Sequence, residues 1–230
     1  MILAISMNPA LDKVYSVDDF QVGKVFRPRA MTATAGGKGL NVARVARQLG
    51  EEVMVSGVIG GNVDKFVQKE LIKQELDNQF VTIQGESRIC INVVDEKNRT
   101  FTEILEPGPI VTDEEREKFL TRYTQLLEQC PVVTASGSLP KGLLPDFYAI
   151  LIRLAKQQGK KFILDTSGDY FMEGMKEMPY MIKPNLDELT FFLGRKPQNA
   201  DDYIEAVLAF KDQGIEVPII SLGKDGCVAA

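Results

Sequence analysis

Short apolar runs alternate along the chain with longer segments whose apolar residues recur at helical spacing. Buried strands are predicted at residues 2–6, 53–59, 132–135, 161–164, 181–183 and 218–222, each too short a run for a helix. Between them, residues 39–49, 64–76, 113–129, 145–158, 185–193 and 200–213 read as amphipathic helices. In the first, Leu40, Ala43, Ala46 and Leu49 recur at near-helical spacing, and Gly50 stands where a helix stops. In the second, Asp64 is placed to cap a segment carrying Phe66, Val67 and Leu71. Strands alternating with helices predict an α/β fold on a mainly parallel sheet.

Two stretches break this rhythm, residues 13–20 and 88–105, and both read as strands. In the second, Ile89, Ile91 and Val93 alternate with Arg88, Cys90 and Asn92, and Asp95-Glu96-Lys97-Asn98 supplies a turn. Such a hairpin either extends an edge of the main sheet or forms a flap over a ligand cleft, and the pattern alone does not choose. At the far end, Asp225-Gly226 lies between apolar runs at residues 219–222 and 227–230, a strong hairpin signal. The returning strand has barely begun where the sequence stops. An unfinished, uncharged edge invites aggregation, so a C-terminally truncated domain is expected.

Composition narrows the chemistry. Of 230 residues, 44% are hydrophobic and 26% charged, the make-up of an ordinary globular chain. A net charge of −5 without a basic stripe argues against a nucleic-acid partner. The first apolar run is cut off by Asn8-Pro9, too early for a signal peptide, and no run is long enough to span a membrane. Cys90, Cys130 and Cys227 are far apart and odd in number, which fits a reducing cytoplasmic location better than a disulfide framework. The chain has no histidine, which excludes a Ser-His-Asp triad, an HExxH zinc site and imidazole proton transfer together. Acid–base work falls to carboxylates, lysine, tyrosine or cysteine.

The strongest local feature is Ala35-Gly36-Gly37-Lys38-Gly39-Leu40-Asn41-Val42, a glycine run entering a helix. Free amides at a helix start attract an anion, Gly37 permits close approach, Lys38 adds a cation and Asn41 a neutral hydrogen-bonding group. A glycine-rich turn that only permits tight packing is the alternative. The run is no Walker A loop, since Gly39 follows the lysine, and Val42 spoils a dinucleotide fingerprint, which counts against a dinucleotide-dependent oxidoreductase. Asp12, just past the first strand, stands where a carboxylate can hold sugar hydroxyls, or is a solvated turn residue. Ser136 begins Ser136-Gly137-Ser138-Leu139-Pro140 in the same position after another strand. Asn185 and Glu188 can form a helix capping box or organise a magnesium ion through its waters. Arg27, Arg29 and Arg88, beside the predicted flap strands, could clamp a phosphate or be surface charge.

Taken in order, Asn8-Pro9-Ala10-Leu11-Asp12, Gly36-Gly37-Lys38-Gly39-Leu40-Asn41-Val42, Ser136-Gly137-Ser138-Leu139-Pro140, Lys183-Pro184-Asn185-Leu186-Asp187-Glu188 and Ser221-Leu222-Gly223-Lys224-Asp225-Gly226 give the chain a specific likeness along its whole length. It resembles the PfkB, or ribokinase-like, carbohydrate kinases. Within them it is most similar to the ketohexose-phosphate branch, with Thr102-Glu103-Ile104-Leu105-Glu106-Pro107-Gly108-Pro109 and Ser138-Leu139-Pro140-Lys141-Gly142-Leu143 leaning toward tagatose-6-phosphate kinase over 1-phosphofructokinase.

The resemblance implies one Rossmann-like domain over residues 1–230, with strands of a small β-lid inserted at about 12–30 and 87–106 and often paired between subunits in a homodimer. It implies that Asp12 and Asn41 hold sugar hydroxyls beside Gly37 and Ser136. Lys38, Arg27 and Arg88 then face the phosphate of a small sugar-phosphate substrate. Lys183, Asn185, Ser221, Gly223 and Gly226 would line the ATP side, with Glu188 tuning Mg2+. The family's catalytic aspartate lies in a C-terminal Gly-Ala-Gly-Asp or Gly-Ser-Gly-Asp motif, and neither occurs in these residues. A non-catalytic sugar-phosphate-binding chain is therefore the rival expectation.

Overall fold

In the computed structural model, which describes residues 1–230, the apolar runs pair into one eight-stranded sheet. Its strands, numbered in chain order, are β1 (Ile2–Ser6), β4 (Val53–Gly60), β5 (Asp77–Ile83), β8 (Val132–Ser136), β9 (Lys161–Asp165), β10 (Met181–Ile182), β11 (Val217–Ser221) and β12 (Cys227–Ala229). All pair in parallel except β12, which returns antiparallel on β11 after a short 3-10 turn at Gly223–Asp225, as the Asp-Gly signal predicts. The order β12-β11-β10-β9-β8-β1-β4-β5 places β1 in the interior.

Helices α1 (Lys38–Gln48), α2 (Gly61–Lys73), α3 (Asp113–Leu127), α4 (Phe147–Gln157), α5 (Gly168–Met175), α6 (Leu186–Leu193) and α7 (Ala200–Asp212) pack on this sheet. The continuous apolar character of β1 has a direct cause. Leu3 and Ile5 enter one core cluster with Phe119, Tyr123, Phe147 and Tyr148, while Ala4 enters another with Leu40, Ala43, Val63 and Val67. A parallel strand covered on both faces has no polar side to show. The buried Tyr123 hydroxyl donates to the Leu151 carbonyl at 2.9 Å, tying α3 to α4. No helix is long and apolar enough to cross a membrane.

The 88–105 hairpin forms no edge of this sheet. It becomes β6 (Arg88–Asp95) and β7 (Thr100–Leu105) in a separate four-stranded sheet with β2 (Ala10–Val17) and β3 (Ala30–Gly36), ordered β3-β2-β6-β7. The lid thus reaches Gly36 rather than ending near residue 30, and residues 18–29 form a loop between its first two strands. Asp95, 2% exposed, anchors that loop. Its carboxylate accepts from the backbone N–H of Asp19 at 2.9 Å and of Phe20 at 2.7 Å, and from the N–H groups of Lys97 and Asn98 at 3.1 Å. Only residues 7–9 separate β1 from β2, and only Gly37 separates β3 from α1.

Candidate active site

The carboxyl ends of β1 and β8, the start of α1 and the inner face of the small sheet enclose a cavity of about 400 Å3. Asp12, Gly37, Lys38, Asn41, Arg88 and Ser136, all singled out from the sequence, line it together. Ligands of open α/β sheets sit at this end of the strands, and the short links from β1 to β2 and from β3 to α1 bring lid and sheet residues to one place.

Each residue is held by a specific contact. Asp12 sits on β2 directly beside Cys90 of β6. Gly36 makes room for its carboxylate, because a Cβ there would lie 1.9 Å from Asp12 Oδ2. Burial pushes the Asp12 carboxyl above its ordinary value; the Arg88 guanidinium, a hydrogen bond with the Cys90 thiol and Arg44 pull it back, and Glu103 adds to the rise. The Cys90 thiol is itself pushed up by burial, against the pull of Arg88. Arg88 Nε donates to the Asn8 carbonyl at 3.1 Å, fixing its guanidinium at the cavity wall. Asn8 is 6% exposed, and its Nδ2 donates to the Pro107 carbonyl at 3.1 Å and Ser138 Oγ at 3.2 Å. It therefore joins the end of β1, the return from the lid and the loop after β8.

Helix α1 begins at the cavity with Gly37 as its N-cap at φ 107, no capping side chain and no acid in its first turn. Its first N–H groups are left for an anion. Gly39 lets the helix lie against β1, since a Cβ would meet the Ile5 carbonyl at 2.4 Å. Asn41 Oδ1 accepts from Arg44 at 2.8 Å, so its amide N–H groups are the ones left for a ligand. Asp165, at the end of β9, lies between two lysines, 3.9 Å from Lys38 Nζ and 3.8 Å from Lys183 Nζ.

Arg27 is not brought to this cavity. It lies exposed in the 18–29 loop, whose path is set by the Asp95 anchor, and Arg29 there pairs with Asp18. Lys183, Asn185, Ser221, Gly223 and Gly226 lie outside the cavity, at the carboxyl ends of β10 and β11. There Ser221 N donates to the Pro184 carbonyl at 2.9 Å, closing the two strand ends on each other. Asn185 and Glu188 form a reciprocal capping box on α6: Glu188 N donates to Asn185 Oδ1 and Asn185 N to Glu188 Oε2, both at 2.9 Å. Glu188 is 7% exposed, and nowhere do three acidic or cysteine side chains gather as a metal site. These residues thus fit a helix cap and do not assemble direct ligands for Mg2+.

The cavity also contains residues that the sequence reading did not single out as ligands. Asn8, Cys90, Asn92, Glu103 and Ser138 line it, and the signal for three of them was present. Cys90 and Asn92 follow Arg88 at strand spacing and share its face, and Glu103 pairs opposite Asn92.

A pfkB family carbohydrate kinase profile matches residues 5–230. Among solved structures, a possible 1-phosphofructokinase from Thermotoga maritima is 32% identical, with a TM-score of 0.90 over all of this chain and 74% of that one. Phosphofructokinase-2 from Escherichia coli, solved in complex with fructose-6-phosphate, matches at TM-score 0.89 and 23% identity, over all of this chain and 76% of that one. A tetrameric inhibited form of the same enzyme gives 0.93 at 23%, again over all of this chain and 76% of that one. The latter two matches support the fold.

Proposed function

Because the chain belongs to the pfkB family of carbohydrate kinases, we propose that it serves phosphoryl transfer from ATP to a ketohexose phosphate, with tagatose 6-phosphate as the substrate and the bisphosphate as product. The observation that carries this reading is the polarity of the cavity. Asp12 stands against a wall of Lys38, Arg88 and the open start of α1, an arrangement complementary to a molecule with hydroxyls at one end and a phosphate at the other.

In this reading Asp12 accepts hydrogen bonds from sugar hydroxyls, and Asn41 donates to a sugar oxygen through the amide that Arg44 leaves free. Gly37 and Ser136 let the ligand approach the backbone, and Arg88 and Lys38 fix the phosphate. Holding the acceptor hydroxyl in one orientation and excluding water under the lid supplies the positioning on which phosphoryl transfer depends. ATP supplies the phosphoryl group when bound, and Lys183, Ser221, Gly223 and Gly226 would line its side of the site. Asn185 would shape the same edge. Asp165, between Lys38 and Lys183, holds the two cations in line from the sugar side to the nucleotide side. Mg2+ would accompany the nucleotide, with Glu188 reaching it only through water, and no step is routed through the ion. In this reading the base that removes the hydroxyl proton is none of these residues.

Residues 1–230 act in this reading as one unit whose lid is the four-stranded sheet. Exposed Met31, Phe101 and Ile104 on that sheet favour a homodimer joined through the lid, and a monomer by sedimentation would oppose it. A cytoplasmic location follows from the same reading, since ATP and sugar phosphates are held there. Fructose 1-phosphate is the second candidate substrate, favoured by the 32% identity to the Thermotoga maritima chain.

ADP release with Mg-ATP and, separately, tagatose 6-phosphate, fructose 1-phosphate and fructose 6-phosphate tests the assignment, alongside thermal protection by each sugar. Turnover with tagatose 6-phosphate supports it, and turnover with fructose 1-phosphate alone moves it to the second substrate. Protection without turnover would make the chain a sugar-phosphate binder. Neither protection nor turnover would overturn the reading.

A further inference from the structure

The inner face of the lid carries two residues that no role in the cavity yet explains. Asn92 lines the cavity from β6, and its Oδ1 is buried with no hydrogen-bond partner. Glu103 lines it from β7, directly opposite Asn92 in the ladder. No ion pair or side-chain hydrogen bond holds the Glu103 carboxylate, although its charge reaches Asp12 and helps to push that carboxyl up. A buried acceptor without a donor costs about 1–3 kcal/mol, and an unpaired carboxylate facing an anion-binding cavity would repel the phosphate. Both observations are resolved by a ligand that presents hydroxyl donors at this end.

Position along the strand agrees. Arg88 and Asn92 share the same face of β6, four residues or about 13 Å apart, with Cys90 and its neighbour Asp12 between them. The strand therefore runs from a cationic pole at Arg88, through Asp12, to an acceptor pole at Asn92 and Glu103.

We propose that Asn92 and Glu103 form a specificity-determining acceptor pair that binds hydroxyls of the substrate distant from its phosphate and sets which way round the sugar lies. This deepens, and rests on, the assignment of the cavity to a ketohexose phosphate. The pair repels a phosphate at its own end and accepts from a polyol, so a reversed substrate is disfavoured twice. A site built to hydrogen-bond a hydroxyl discriminates strongly against ligands that place none there.

The test is titration calorimetry of the full chain and its variants with tagatose 6-phosphate, fructose 1-phosphate, fructose 6-phosphate and inorganic phosphate. Glu103→Leu and Asn92→Leu should each weaken the preferred sugar phosphate about tenfold or more. Inorganic phosphate, which probes the cationic pole, should bind as before to Asn92→Leu and at least as tightly to Glu103→Leu, which loses a repelling charge. Glu103→Gln keeps an acceptor and should recover most of the loss, and the melting temperature of Glu103→Leu should stay within about 2 °C. Sugar phosphates bound equally by wild type and both leucine variants would overturn the pair while leaving the cavity assignment intact. Equal losses for sugar phosphate and inorganic phosphate would also overturn it, since the residues would then act on the whole cavity. A wild-type chain that binds inorganic phosphate and none of the sugars removes the assignment beneath it, and the pair with it.

Discussion

Substituting Gly36 by alanine separates the cavity from the fold in one step. The added Cβ would lie 1.9 Å from Asp12 Oδ2, 2.2 Å from Cγ and 2.6 Å from Oδ1. An ordinary contact is about 3.5 Å, so the carboxylate must retreat by about 1.6 Å. It can do so, because the obstacle is the free end of a side chain and not backbone. Turning that side chain off its rotamer costs about 0.5–1.5 kcal/mol, and replacing glycine by alanine recovers about 0.4–1 kcal/mol from the unfolded chain. The two nearly cancel, so the melting temperature of Gly36→Ala should stay within about 4 °C of wild type. Binding should not survive as well. A hydrogen bond to a charged group contributes about 1.5–3 kcal/mol, so a displaced Asp12 should weaken sugar-phosphate binding about 10- to 150-fold, and Asp12→Ala should weaken it comparably. Gly39→Ala is the contrast: its Cβ meets the Ile5 carbonyl at 2.4 Å and Ser6 Cα at 2.8 Å, backbone that cannot turn aside, and it should lower the melting temperature instead. Differential scanning fluorimetry with calorimetric titration reads both quantities. A Gly36→Ala chain that binds the sugar as tightly as wild type would refute the placement of Asp12 against the substrate.

Three further outcomes follow from the same contacts. Glu188→Gln keeps the capping box, since glutamine serves as well as glutamate there; thermal stability should hold, and any loss should appear only as a raised magnesium requirement for turnover, so a marked fall in melting temperature would count against this. For Asp95, burial alone would raise its carboxyl, but hydrogen bonds from Asn98, Phe20 and Asp19 outweigh it and hold the value at about 2. Because the folded value lies below the usual 3.8, its contribution is full above about pH 4 and lost as pH falls toward 2; limited proteolysis of the 18–29 loop should rise across that window, and Asp95→Asn should flatten the dependence. Tyr123→Phe deletes the buried bond to the Leu151 carbonyl and should cost about 1 kcal/mol, read as a melting temperature lowered by about 2–4 °C, with an unchanged value arguing that the bond contributes nothing.

Much of the main sheet is visible in the sequence because its strands are covered on both faces. Burial of Leu3, Ala4 and Ile5 on opposite sides of β1 leaves an unbroken apolar run, and β4 and β8 are likewise buried at successive positions. Where one face meets water the pattern fades. β5, at the sheet edge, mixes Asp77, Asn78 and Gln79 with its apolar residues and passes unnoticed. β3 is mostly exposed, with Met31 and Thr32 open to solvent, so the glycine run hides that it closes a lid strand. α5 starts at Gly168 with φ 59 and spans eight residues, which makes its first turn read as a loop. In the cavity, Asp12, Lys38 and Asn41 were legible from short motifs, whereas the part played by Asn8, although it opens one of those motifs, depends on a long-range contact: it meets Pro107 across 99 positions. Arg27 is the converse, a plausible charge in a loop whose course is decided by Asp95 many residues away. Asn185 and Glu188 show that one spacing can satisfy two readings, and the capping box is the one whose hydrogen bonds are formed.

The chain passes between main sheet and lid four times, through residues 7–9, Gly37, 84–87 and 106–112. Two of these links are stitched to each other, because Asn8 in the first donates to the Pro107 carbonyl in the last at 3.1 Å. A third is fastened to the end of β4: Gly60 N donates to Ser87 Oγ at 3.0 Å, and Ser87 N to the Gly60 carbonyl at 3.1 Å. Asp12, Arg88 and Glu103 each lie within three residues of one of these links. The cavity wall supplied by the lid is therefore moored to the same frame as the wall supplied by the main sheet, and the spacing between the two is a property of the frame.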